Sequence, residues 1–152
     1  MRTPELNYSQ FNDLFPFHLI FDEDLVIRQM GRSLKKLLPE ALGSHILETF
    51  LILRPKINSI TFEDLKHFEE LVIVKTKTEK PILFRGQIEY LEKENQVLVL
   101  GTPWFRSMDE LMHHNLSLRD FAISDPMIDL LHILKTEEIV SKEVKELSLI
   151  HI

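Results

Sequence analysis

The hydrophobic pattern changes period along the chain, and each change predicts an element. Positions 1–14 are polar with loosely spaced Leu6, Tyr8, Phe11 and Leu14, which fits a short helix or an arm. An aromatic and β-branched run, Phe15-Pro16-Phe17-His18-Leu19-Ile20-Phe21, is followed by a second, Leu25-Val26-Ile27-Arg28-Gln29-Met30. Asp22-Glu23-Asp24 lies between them, so the two runs predict a hairpin with an acidic turn, closed by Gly31. Ser33 is placed to cap a short helix with Leu34, Leu37 and Leu38 on one face and Pro39 as its stop. Ser44 gives a loose capping signal, and the apolar residues after it read as helical through Leu53, until Arg54-Pro55 breaks the pattern. Thr61 and Asp64 form a better capping box, with Phe62, Leu65 and Phe68 at helical spacing behind it.

From Leu71 the pattern predicts strands again. Leu71–Lys75 is one run; then Ile82, Phe84, Gly86, Ile88 and Tyr90 alternate with Leu83, Arg85, Gln87, Glu89 and Leu91, the period of a half-buried strand. A charged loop, 92–96, separates this from a return strand at Val97–Leu100, which runs out at Gly101-Thr102-Pro103. Two strands, then helices, then three strands, joined by short loops, predict an α+β domain with a five-stranded antiparallel sheet and helices on one side. After Pro126 the chain reads as one helix. Leu130, Ile133, Val140, Val144 and Leu147 follow a 3–4 spacing interrupted at Glu137, which suits the seam of a coiled coil. No strong C-cap follows Leu147, so the helix is expected to lead into a missing effector domain. The expected division is an arm or helix over 1–14, a domain over 15–125 and an outgoing helix over 126–152.

Charge narrows the partners. With 18 Lys+Arg against 24 Asp+Glu in 152 residues, the chain carries −6 and has no basic run. It therefore lacks the clustered cations that neutralise nucleic-acid phosphates or hold an anionic membrane surface, and neither partner is expected. The absence of cysteine excludes disulfides, thiol nucleophiles and Cys-ligated metals, and suits a reducing compartment. The polar N-terminus lacks the apolar core of a signal peptide, and the chain reads as cytoplasmic.

Candidate chemistry is sparse. Glycines stand only at 31, 43, 86 and 101, too few and too scattered for a phosphate-cradling loop. Asp109/His113 and Glu110/His114 sit at i,i+4 spacing and could each offer a metal two ligands, but no third is evident, and a solvated helix face accounts for them. His132-Ile133-Leu134-Lys135-Thr136-Glu137 looks superficially like a histidine-kinase phosphoacceptor box, yet Ile133 replaces the acid beside the histidine and Glu137 the proline. His18, among aromatics, reads as a core-edge histidine. No active site is expected.

Several segments nevertheless resemble, in order, a known family. These are Phe15-Pro16-Phe17-His18-Leu19-Ile20-Phe21-Asp22; Gly31 with Leu38-Pro39; Phe50 to Arg54-Pro55 and Ile60-Thr61-Phe62; Arg85-Gly86-Gln87-Ile88-Glu89-Tyr90-Leu91; and Gly101-Thr102-Pro103, Met108-Asp109-Glu110-Leu111 and Leu116-Ser117-Leu118-Arg119-Asp120. Over roughly 15–135 the chain resembles the haem-NO-binding-associated domain, the PAS-like module of soluble guanylate cyclases and of some bacterial sensor histidine kinases. Arg119 stands where that family usually has Ser, and Ser124-Asp125-Pro126 replaces its His-Asp-Ala. Tyr8-Ser9-Gln10 lacks the arginine of the neighbouring gas-sensor motif, so the chain does not resemble the sensor itself.

The resemblance implies a PAS-like fold without enzymatic activity. It also implies a dimerising relay, as a homodimer or a heterodimer with a paralogue, between a haem NO/O2 sensor and a downstream kinase or cyclase. No cofactor of its own is expected. The expected dimer contacts are Leu14, Phe15 and Phe17 together with the outward face of the last strands at Gln87, Trp104 and Phe105, with Phe17 favoured as core. The alternative is a PAS domain that itself binds a small molecule or cofactor, in an apolar pocket lined by Phe21, Phe62, Phe68 and Phe84.

Overall fold

A computed structural model describes residues 1–56 and 58–150. Helix α1 (Tyr8–Leu14) precedes strands β1 (Leu19–Phe21) and β2 (Ile27–Met30). Helices α2 (Arg32–Leu37) and α3 (Ile46–Thr49) lead into β3 (Phe50–Arg54), and α4 (Phe62–Lys66) follows. Strands β4 (Val72–Thr76), β5 (Leu83–Leu91) and β6 (Gln96–Trp104) come next, then α5 (Met108–His113), a 3-10 turn and the long α6 (Pro126–Ile150). Residues 151 and 152, assigned to the last helix from sequence, lie outside the described residues.

The sheet is antiparallel throughout, in the order β2-β1-β6-β5-β4-β3. It has six strands rather than five, because Phe50–Arg54, expected to be helical, pairs with β4 from Phe50 opposite Thr76 to Arg54 opposite Ile73. A short apolar run does not reveal its own period, and here the alternation decides: Phe50 is buried and Ile52 half-buried, while Leu51 and Leu53 are exposed. The helix before it lasts only four residues, capped by the His45 ring accepting the Leu47 N–H rather than by Ser44. Thr61 and Asp64 do form the reciprocal capping box, opening α4. The first strand begins at Leu19, not Phe15, because Phe15 closes α1.

One face of the sheet carries the core. Leu19, Phe21, Phe50, Phe84 and Val97 meet Leu34, Ile46, Phe62, Leu65, Leu111, Met127 and Leu131, contributed by α2 to α6. Ser33 does not cap α2; Gly31 does, without a side-chain bond, and the Pro16 carbonyl accepts the Ser33 and Leu34 N–H groups instead. Gly31 has to be glycine, because a Cβ there would collide with the carbonyl oxygen and carbon of Pro16. The buried Ser33 hydroxyl donates to the Asp120 carbonyl at 2.5 Å, tying the two ends of the domain together.

Helix α1 is the exception to the expected one-sided arrangement: it packs on the opposite face. Its capping box is complete, with Asn7 and Gln10 exchanging bonds. The Tyr8 hydroxyl donates to the Met30 carbonyl at 2.8 Å, and the buried Asn12 Oδ1 accepts the Arg32 N–H at 2.7 Å.

Candidate interaction face and its outgoing helix

Strand alternation puts Phe84, Val97 and Pro103 toward the core and sends their neighbours outward. Outward along β5 stand Leu83, Arg85, Gln87, Glu89 and Leu91. The register sets Leu83 opposite Trp104, Arg85 opposite Thr102, Gln87 opposite Leu100 and Glu89 opposite Leu98 on β6. Lys75 and Ile73 continue these rows on β4, and Leu51 continues one on β3. The Arg85 guanidinium lies 4.9 Å above the Trp104 ring. Leu51, Leu83 and Trp104 are all exposed, so this end of the sheet has an uncovered row that is apolar apart from Lys75.

An open groove of about 1080 Å³ runs over this face, lined by Phe15, Leu71, Gln87, Thr102, Trp104 and Pro126 among others. Helix α1 bounds the covered part of the face. Beneath it His18 is completely buried, with Phe11 4.6 Å away ring to ring in an edge contact. The His18 Nδ1 lies 2.7 Å from the Phe15 carbonyl, which can only accept, so Nδ1 carries the proton. Its Nε2, 2.9 Å from the Gln29 amide nitrogen, accepts, and the ring is neutral. Burial pushes its pKa below the ordinary 6.5.

Helix α6 starts at the edge of the same groove. One carboxylate serves two purposes there: Asp125 Oδ1 accepts the Met127 N–H at 2.9 Å, and Oδ2 accepts the Thr102 hydroxyl at 2.6 Å. A bond from the outward face of β6 thus ends on the group that caps α6. Met127 and Leu131 plug into the core, and from Lys135 to Leu147 every residue is exposed.

The residues singled out in the sequence divide accordingly. Gln87 and Trp104 do face outward, Phe15 lines the groove half-buried, and Leu14 is exposed at the end of α1. Phe105 is corrected, and Phe17 is core, the side favoured for it: both are 3% exposed, Phe17 packed on Phe84 and Phe121 and Phe105 on Phe121 and His114, and neither presents a surface to a partner. Along α6 Leu130 is half-buried, and Ile133, Val140, Val144 and Leu147 are each more than half exposed.

The aromatic pocket does not assemble as expected, because Phe21, Phe62 and Phe84 are packed core whereas Phe68 lines the outer groove. Internal spaces between sheet and helices come to about 30 and 50 Å³, room for a water or two against the several hundred Å³ of a ligand pocket. His113 Nδ1 is engaged by the Asp109 carbonyl, and the Glu110 carboxylate accepts the Arg106 N–H, so these pairs do not converge on one point. No cluster of three metal-ligating His, Asp or Glu side chains occurs among the described residues. Arg85, Glu89, Thr102 and Asp125 were not singled out from sequence. The alternation of β5 was signal enough for the first two; the Thr102–Asp125 contact spans 23 positions and left none.

An antiparallel sheet with its first strand beside its last, helices α2 to α5 over one face, α1 on the other and a long final helix, defines a PAS-like α+β domain. The chain belongs to the heme NO binding associated family, whose sequence profile matches residues 4–80 and 70–147. It is 30% identical over 138 residues to guanylate cyclase soluble subunit alpha-2 of Rattus norvegicus, covering 83% of this chain and 19% of that subunit. To guanylate cyclase soluble subunit beta-2 of the same organism it is 30% identical over 132 residues, covering 80% and 19%. The chain spans about a fifth of the length of these subunits. Among solved structures it is similar to the PAS domain of nitrogen regulation protein NR(II) from Vibrio parahaemolyticus, with 11% identity, a TM-score of 0.46 and coverage of 66% of this chain and all of that one. No helix among the described residues is long and apolar enough to cross a membrane.

Proposed function

We propose that this chain is a non-catalytic, dimerising relay that carries the state of a haem NO/O2 sensor domain to a downstream cyclase or histidine kinase. The observation that carries this reading is the uncovered outward sheet face, joined through Thr102 and Asp125 to a helix whose described side chains are buried only near its root. Two PAS-like sheets packed about a two-fold axis use the same patch on each copy. Leu14, Phe15, Gln87 and Trp104 lie on or beside that patch, and their pairing would bring the two α6 helices out together. Leu130, Ile133, Val140, Val144 and Leu147 would then close a coiled-coil seam, and the relay would act by changing its register or splay. In this division residues 1–14 are the N-terminal arm or short helix, 15–125 the relay domain and the chain from 126 on the outgoing segment.

Light scattering across a dilution series tests the reading. A mass near twice the chain's 18.0 kDa that falls on dilution is the expected result. Phe15→Glu should lower the dimer fraction without changing the circular dichroism. A wild-type chain that stays at 18.0 kDa at every concentration overturns the proposal.

A further inference from the structure

The outward face of β5 reads Leu83, Arg85, Gln87, Glu89, Leu91: leucine at both ends, opposite charges inside them and a neutral amide at the centre. Reversed, it is its own complement. We propose that this strand sets the register of the dimer, with the two-fold axis passing through Gln87, so that Arg85 of each copy pairs with Glu89 of the other. The inference rests on the dimer reading above and adds the alignment of the two copies.

Three observations support that alignment. Among the described residues neither Arg85 nor Glu89 forms an ion pair within its own chain, although both are exposed. Arg85 is held by stacking on Trp104, which orients its charge while leaving it available to a carboxylate. Finally, the strip is flanked by apolar surface, Leu100 and Trp104 on β6 and Ile73 on β4, that an opposing copy would cover.

Alternate residues stand about 6.7 Å apart along a strand, so a shift of one such step opposes Arg85 to Gln87 and breaks the pairing at both ends. A partner of unrelated sequence would need the reverse order of charges, which this strand already provides.

Charge exchange tests the register, with mass and mixing measured on the intact chain. Arg85→Glu sets a carboxylate against Glu89 at both of the symmetric contacts and should weaken the dimer at least about tenfold; Glu89→Arg should do the same with paired cations. Added salt should tighten these single variants while loosening the wild type, since it screens repulsion in one and attraction in the other. The double variant R85E/E89R should recover dimerisation to within about threefold of wild type and yet fail to form mixed dimers with it. Far-ultraviolet circular dichroism should be unchanged throughout, because both positions are exposed. If the wild type dimerises but the double variant stays as weak as the singles, or mixes freely with wild type, the register is wrong and the dimer reading stands. A wild type that never dimerises overturns both.

Discussion

Replacing Thr102 with valine keeps the shape of the side chain and removes the single hydroxyl that joins β6 to the cap of α6. The lost bond is 2.6 Å long and ends on a carboxylate, a class that contributes about 1.5–3 kcal/mol. Both residues are half-buried, so water can take up the vacated Asp125 oxygen, and the expected cost is nearer 1 kcal/mol. That corresponds to roughly a fivefold rise in local opening. Asp125 Oδ1 still caps the Met127 N–H in this variant, so the helix persists while its attachment loosens. Asp125→Ala removes cap and attachment together and should cost about 1 kcal/mol more, the usual value of an N-cap side chain. Amide hydrogen exchange over residues 127–134, compared with residues of β5 and β6, separates a local effect from a global one. Thr102→Ser, which keeps the hydroxyl, should restore the wild-type rates. If Thr102→Val exchanges like wild type in the first turns of α6, or speeds exchange equally in the strands, the contact does not fasten the helix to the sheet.

Two further outcomes follow from packing and charge. Gly31→Ala forces a methyl group into the Pro16 carbonyl, which cannot move without releasing the N–H groups of Ser33 and Leu34; a loss of about 3 kcal/mol in urea unfolding is expected, and a loss under 1 kcal/mol would contradict the geometry. For His18, burial holds the folded pKa below 6.5, so the unfolded chain binds the proton more readily and stability should fall as pH drops through 6.5. Partial burial of His114 acts with the same sign. His18→Gln should flatten this slope whatever its own stability, and an unchanged slope would show that His18 does not carry it.

How far the sequence revealed the molecule depended on whether a signal was local. The alternation over 82–91 announced β5 and both of its faces, and Thr61 with Asp64 announced α4, because each pattern is complete within a few residues. Phe50–Arg54 is not legible in this way, since four apolar residues after a short helix fit either period, and only pairing with β4 decides between them. Residue type alone makes Ser33 a cap; its hydroxyl instead reaches Asp120, 87 positions away. The same distance problem misplaced Phe105. Beside exposed Trp104 it looked like surface, but the strand ends between them, and Phe121 and His114 close over its ring. Gln87 and Trp104 were placed on the outward face correctly because strand parity alone determines it.

The shared carboxylate at the root of α6 also sets a mechanical ratio. The helix has 25 residues, about 37 Å of rigid rod at 1.5 Å per residue, and its side-chain anchors lie within its first two turns. A tilt of about 10° at that root would displace the far end sideways by roughly 6 Å. A small angular change at the root is therefore enlarged along the length of the helix.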